Sequence, residues 1–173
     1  MANTYSLISS VTVGSGGAAS IAFTSIPATY TDLLVKYSIR GNNANVYSGT
    51  SLQINGVTTT YSSKELVGDG STASSATRTN LASGTFIQNA AGTSATASTF
   101  SNGELYIPNY TSSNYKSISN DQVSENNATE AYAAITANLF STGSAITSLT
   151  ILPLHATLWL QYSTAYLYGI SNA

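Results

Sequence analysis

The sequence lacks cysteine altogether, has a single histidine and carries few charged side chains. Without cysteine, the chain has no disulfide, no thiolate metal ligand and no cysteine nucleophile. Asp, Glu, Lys and Arg make up 7% of its 173 residues, whereas an average soluble domain has about 25%. Ser, Thr, Asn, Gln and Tyr must therefore cover most of the surface.

The basic residues are also scattered, and the formal net charge is −2. Nucleic-acid binding needs clustered Lys or Arg to displace counterions from phosphates, so we expect no nucleic-acid partner. No stretch approaches the roughly 20 apolar residues of a membrane span. Residues 1–5 have neither the basic nor the apolar region of a signal peptide. We therefore expect no membrane association, and synthesis in a cytoplasm without an export signal.

Strand patterns dominate what is present. β-Branched and aromatic residues alternate with polar ones in short runs that end at Gly, Ser, Asn or Pro. In residues 32–40, Leu33, Val35, Tyr37 and Ile39 share one side, as in a half-buried strand. Such runs, without a long amphipathic helix, predict an all-β fold. We expect one domain over residues 1–173, a two-sheet β-sandwich that is jelly-roll-like.

Five local features refine this prediction. Residues 5–13 and 20–24 are spaced as an opening hairpin, and Asn55-Gly56 favours a type I′ turn between two strands. Residues 115–121 indicate a polar strand near an edge or an interface, and residues 158–162 a further strand. Residues 128–140 fit a helix or a strand; the alternation after Glu130 favours a strand.

Catalytic constellations are sparse. His155 is the only histidine and follows Leu152-Pro153-Leu154, and there is no GxSxG motif, so a loop histidine is favoured over a catalytic one. A glycosidase would need two carboxylates in one cleft. Glu104 lies in a predicted strand, while Asp121 and Glu125 lie in a predicted turn region. We predict no enzymatic activity, no cofactor and no metal site.

The aromatic composition is skewed, with twelve Tyr, four Phe and one Trp. Tyrosine rings stack on sugars, fill protein interfaces and suit half-buried strands. Tyr106, Tyr110 and Tyr115, beside the polar strand, are candidates for all three roles. Trp159 is a candidate sugar-stacking platform, although its leucine neighbours favour a core or interface position.

Three segments resemble small β-rich proteins of tailed bacteriophages. Residues 5–33 resemble the opening of these proteins, residues 106–110 a segment in mid-chain and residues 166–170 their usual ending. The resemblance spans nearly the whole chain and implies a structural component of the virion, with no catalytic residues. Residues 152–156 depart from it, because an apolar loop replaces the expected small polar turn and offers an extra contact surface.

The resemblance leads to one main expectation and one alternative. The first is a capsid decoration (cement) protein that docks on the head shell, with the major capsid protein or other virion proteins as partners. It implies a cyclic homo-oligomer, with a trimer favoured, located in the virion after synthesis in the host cytoplasm. The alternative is a tail-fibre or receptor-binding module that recognises a host surface polysaccharide. A carbohydrate-active enzyme is a third reading, and it would require two converging acids.

Overall fold

The fold is built entirely from β-strands in the residues that the computed structural model describes, 4–127 and 131–171. This confirms the all-β prediction. In chain order the strands are β1 (Tyr5–Thr12), β2 (Ile21–Phe23), β3 (Asp32–Ile39), β4 (Tyr47–Ile54), β5 (Tyr61–Gly68), β6 (Ala73–Thr79), β7 (Thr85–Ala91), β8 (Ser101–Ile107), β9 (Lys116–Ser124), β10 (Tyr132–Phe140), β11 (Leu149–Pro153) and β12 (Thr164–Ile170).

The strands form two antiparallel sheets of unequal size. The larger has eight strands in the order β1-β12-β3-β8-β9-β10-β5-β6, and the smaller has four in the order β2-β11-β4-β7. Most connections cross from one sheet to the other, because successive strands up to β5 alternate between them. The predicted two-sheet β-sandwich is confirmed.

Alternation along the strands explains the core between the sheets. Leu33, Val35, Tyr37 and Ile39 point inward from β3 and are at most 3% exposed. They belong to one apolar cluster with inward residues of both sheets, including Leu52 of β4. Burying a side chain of this size contributes roughly 1.5–3 kcal/mol, so this cluster supplies most of the force that holds the sheets together.

Part of the interior is polar, along the inward face of β9. The Tyr37 hydroxyl lies 2.7 Å from Asn120 Oδ1 and 2.9 Å from Gln122 Oε1. The two amides donate in turn to the backbone carbonyls of Ile87 and Asn89 in β7, at 2.8 and 2.7 Å. Burial raises the pKa of Tyr37 far above its ordinary value, which keeps the hydroxyl a donor at physiological pH. These bonds link the two sheets.

The polar strand predicted near an edge or an interface for residues 115–121 is present as β9, and of these two places the edge is wrong. β9 is the fifth of eight strands. Its sequence is polar although the strand is central, because Asn120, Gln122 and Ser124 face the interior and are hydrogen-bonded there. Asp121, expected in a turn region, lies within this strand.

The predicted opening hairpin is also wrong. β1 pairs with β12, and β2 pairs with β11 in the other sheet. The glycine-rich segment after Val13 is thus a crossing between sheets. Residues 158–162 form isolated bridges at Trp159 instead of a strand.

Two other local predictions are confirmed, the first in part. Asn55 and Gly56 have φ values of +52° and +71°, as a type I′ turn requires. The turn is therefore present, but the strand expected after it is not. The turn closes only the Ile54–Val57 bridge, and the chain then crosses to β5. The ambiguous segment is strand β10 over Tyr132–Phe140; residues 128–130 lie outside the described part of the chain.

Candidate interaction surface

The face of the eight-stranded sheet that points away from the smaller sheet carries most of the exposed apolar side chains. We call it the outer face. Nine large hydrophobic side chains are exposed among the described residues, and strand alternation places all but two on this face. The seven on the outer face are Tyr5, Leu7, Leu66, Tyr106, Val123, Ile135 and Tyr166.

One half of the outer face is rich in tyrosine. Leu7 of β1 lies opposite Tyr168 of β12, Tyr168 opposite Leu34 of β3, and Leu34 opposite Tyr106 of β8. Side chains directly opposite on neighbouring strands have Cβ atoms about 5 Å apart, so these four form a continuous row. The tyrosine patch comprises Tyr5, Leu7, Leu34, Tyr106, Tyr166 and Tyr168.

The other half is aliphatic. Ile135 of β10, 60% exposed, lies directly opposite Leu66 of β5. Val123 of β9 lies opposite Ala133 of β10 on the same face. We call Leu66, Val123, Ala133 and Ile135 the aliphatic patch. Strands β9, β10 and β5 bring together residues more than fifty positions apart in the sequence.

A charged row separates the two patches. Lys36 Nζ forms an ion pair with Glu104 Oε2 at 2.7 Å, with both side chains about half exposed. The hydrogen bond to Glu104 raises the pKa of Lys36 above its ordinary value. Asp121 lies opposite Glu104 on β9 and forms no hydrogen bond or ion pair within the described residues. An exposed ion pair such as Lys36–Glu104 contributes little to stability. Because Lys36 is paired with Glu104, the Asp121 carboxylate remains available to accept a hydrogen bond from a partner.

The outer face has the dimensions of one protein interface. Eight strands about 4.8 Å apart and about seven residues long span roughly 38 by 23 Å, or about 900 Å² in projection. Specific interfaces bury about 800 Å² on each partner. The relief is low, with open depressions of about 460 Å³ over the aliphatic patch and about 340 Å³ in the tyrosine patch.

The four aromatic residues singled out in the sequence do not come together. Tyr106 lies on the outer face, where its hydroxyl donates to Asp32 Oδ2 at 2.9 Å, and this bond raises the pKa of Tyr106. Tyr115 is 64% exposed and immediately precedes β9, outside the strands that form the outer face.

Tyr110 and Trp159 have no exposed surface, so their rings cannot stack on a sugar or contact a partner, and those two candidate roles are wrong. Tyr110 donates to the Pro27 carbonyl, and Trp159 Nε1 donates to the Ile151 carbonyl at 3.1 Å. Their apolar rings fill the core while each polar atom finds a buried acceptor, as large aromatic residues do in protein interiors.

The sheet brings two acids together that the sequence alone left apart. Glu104 and Asp121 are cross-strand neighbours beside an open depression of about 230 Å³, not in a cleft. His155 is remote from them: it lies in an exposed turn, as predicted, and its Nδ1 accepts a hydrogen bond from the Gly49 amide at 3.1 Å.

Each of the five basic side chains has a partner within the chain. Arg40 donates to carbonyls that include those of Ala95, Thr96 and Thr99. Buried Lys116 donates to the carbonyls of Ser112, Asn114 and Ser144 at 2.6–2.9 Å, and burial lowers its pKa. Lys64 bonds to Thr77, Arg78 to Glu65 and Lys36 to Glu104. These cations order loops and strands, and they form no basic patch.

The described part of the chain has neither a cluster of metal ligands nor a membrane-spanning helix. Within residues 4–127 and 131–171, no three His, Cys, Asp or Glu side chains are grouped as metal ligands. No helix in that part of the chain is long and apolar enough to span a membrane.

Comparison with known proteins finds no relative. No family model, no curated protein and no solved structure matches the chain.

Proposed function

We propose that this protein is a bacteriophage virion structural protein, a capsid decoration protein that docks on the head shell through the outer face. The observation that carries the proposal is the concentration of exposed apolar side chains on one face of the larger sheet, a face of interface size. Clusters of exposed apolar side chains mark interaction sites on soluble proteins, and two such clusters lie here on either side of the charged row. The partner class, a phage shell, comes from the sequence resemblance.

The composition of the face favours a protein partner over a sugar. Sugars are bound by aromatic rings and by hydrogen-bonding groups, whereas Leu7, Leu66 and Ile135 offer only aliphatic surface. Such side chains gain free energy by leaving water against another apolar surface. The charged row between the two apolar patches would fix the orientation of a partner. Charge complementarity contributes more to specificity than to affinity.

A polysaccharide-binding fibre module is the second candidate. The observation in its favour is the tyrosine patch, where Tyr5, Tyr106 and Tyr166 expose ring surface near Lys36 and Glu104. In this reading the aliphatic patch contributes nothing to the sugar and would contact another fibre protein. The two candidates therefore differ in which half of the outer face is essential.

The test is binding of the purified protein to phage heads that lack it, compared with binding to host cells and to host surface polysaccharide. A decoration protein is expected to bind heads saturably, with a stoichiometry set by the shell symmetry. Adsorption to cells or polysaccharide, without head binding, would replace the proposal by the receptor-binding alternative. Binding to none of them would contradict both.

A further inference from the structure

Strand β6 is an unprotected sheet edge. It is the last strand of the eight-stranded sheet and pairs only with β5, in a ladder of seven residue pairs without a bulge. Every residue of β6, from Ala73 to Thr79, is exposed. Its sequence, ASSATRT, contains no proline and no lysine. An edge of this kind presents a row of unpaired N–H and C=O groups that another strand can bind.

The other three sheet edges are protected in recognisable ways. β1 carries a register irregularity between Leu7 and Ser9, and β2 has only three residues. At β7, the side chains of Asn120 and Gln122 already donate to two backbone carbonyls, and a further irregularity interrupts its pairing with β4. Bulges, short strands and covered edges are the usual defences against strand pairing. The contrast marks β6 as the edge that is available for it.

We propose that two copies of the chain associate by antiparallel pairing of β6 with its counterpart, about a two-fold axis at Ala76. Residues directly opposite in an antiparallel pair share a face, so one residue must lie opposite its own copy, with the axis midway between the two copies. Ala76 is the midpoint of the strand and gives the longest ladder. Ser75 then lies opposite Thr77 of the second copy, and Ser74 opposite Arg78.

The side chains of β6 suit this register. The residue opposite its own copy is a small alanine, so no bulky or charged group meets itself. The one charged residue of the strand, Arg78, is already paired with Glu65 Oε1 at 2.8 Å, and its guanidinium lies 4.3 Å from the centroid of the Phe86 ring. The strand thus brings no like charges opposite each other, an arrangement that would destabilise the pair.

The pairing has a structural consequence. A two-fold axis perpendicular to the sheet at β6 keeps both outer faces on the same side of the joined sheet, so the dimer presents two docking surfaces on one side. The inference is independent of what the outer face binds, because β6 contacts its counterpart through backbone groups at the edge. It predicts a two-fold dimer, whereas the phage resemblance favours a trimer.

Mass measurement and cross-linking together test the inference. Sedimentation velocity of the wild-type protein over a range of concentrations should show a monomer–dimer equilibrium. Because the chain has no cysteine, Ala76→Cys introduces a single thiol. Paired strands place opposite Cα atoms about 4.5–5.5 Å apart, which a disulfide can bridge. Thr79→Cys is the matched control, since its two thiols would be about 20 Å apart.

We expect Ala76→Cys to form a covalent dimer about 100-fold faster than Thr79→Cys, because pairing gives its thiols a high effective concentration. Ala76→Lys, which places two like charges opposite each other, should weaken the dimer about 10-fold or more, and Thr79→Lys should not. A wild-type protein that is monomeric at all concentrations, or trimeric, would overturn the inference. Equal cross-linking rates for the two cysteine variants would also overturn the inference. This comparison is made between two folded variants, so it does not depend on a variant losing its fold.

Discussion

Replacing Trp159 with alanine is expected to lower the free energy of unfolding by about 3–5 kcal/mol. The indole has no exposed surface and is one of the largest fully buried side chains. Truncation removes that buried area and also the buried hydrogen bond that Nε1 donates to the Ile151 carbonyl. Urea unfolding, with the midpoint and slope both recorded, measures the loss.

Tyr162→Ala is the matched control for this experiment. Tyr162 is 69% exposed and only three residues further along the chain, so its loss should change the free energy of unfolding by no more than about 0.5 kcal/mol. Because the chain has a single tryptophan, the fluorescence of the wild-type protein reports the same environment and should be blue-shifted. A cost below about 1 kcal/mol for Trp159→Ala would mean that the ring is available to a ligand.

Ile135→Lys is expected to weaken docking by about 2–4 kcal/mol, or roughly 30- to 1000-fold in affinity, without unfolding the protein. Ile135 is 60% exposed and lies between Asp121 and Leu66 on the outer face. In the free protein the ammonium remains in water beside the Asp121 carboxylate, so stability should be nearly unchanged. In a complex the charge would have to be buried against apolar surface, which is unfavourable.

Titration of the variant against phage heads, with Tyr162→Lys alongside, measures the effect. Tyr162→Lys adds the same charge to an exposed aromatic position off the outer face and should retain wild-type affinity within about a factor of two. If the two variants bind equally well, the aliphatic patch has no part in docking. If Ile135→Lys reduces head binding but spares polysaccharide binding, both ligands exist and use different halves of the face.

The sequence predicted where strands and turns lie better than it predicted which strands pair with each other. The alternation in residues 32–40 predicted β3, and Asn55-Gly56 predicted the turn, because both signals depend on residues close in the chain. The predicted opening hairpin is wrong because a strand can pair with a segment far away in the chain, and β1 pairs with β12, the last strand. β9 was misplaced because Asn120 and Gln122 face inward, and a one-dimensional pattern does not distinguish a satisfied buried amide from an exposed one.

The outer face could not be predicted from the sequence, because local patterns do not give the order of strands in the sheet. Leu66, Val123 and Ile135 each sit at the exposed position of a separate strand, and singly exposed apolar residues are ordinary. Only the strand order makes them one patch. The choice of Tyr110 and Trp159 as candidates failed because composition does not give the direction of a ring. The alternation of β8 and β9 did contain one usable signal, since Tyr106 and Val123 were apolar residues on otherwise polar faces.

Hydroxyl-radical footprinting of the protein alone and bound to phage heads tests most directly whether the outer face is the docking surface. We expect Tyr5, Leu7 and Ile135, all exposed in the free protein, to become protected on binding. Tyr162, exposed in a turn outside the strands of the outer face, should react at the same rate in both states. Protection of Tyr162, with the outer face still reactive, would show that the outer face is not the docking surface and place the contact on the loops.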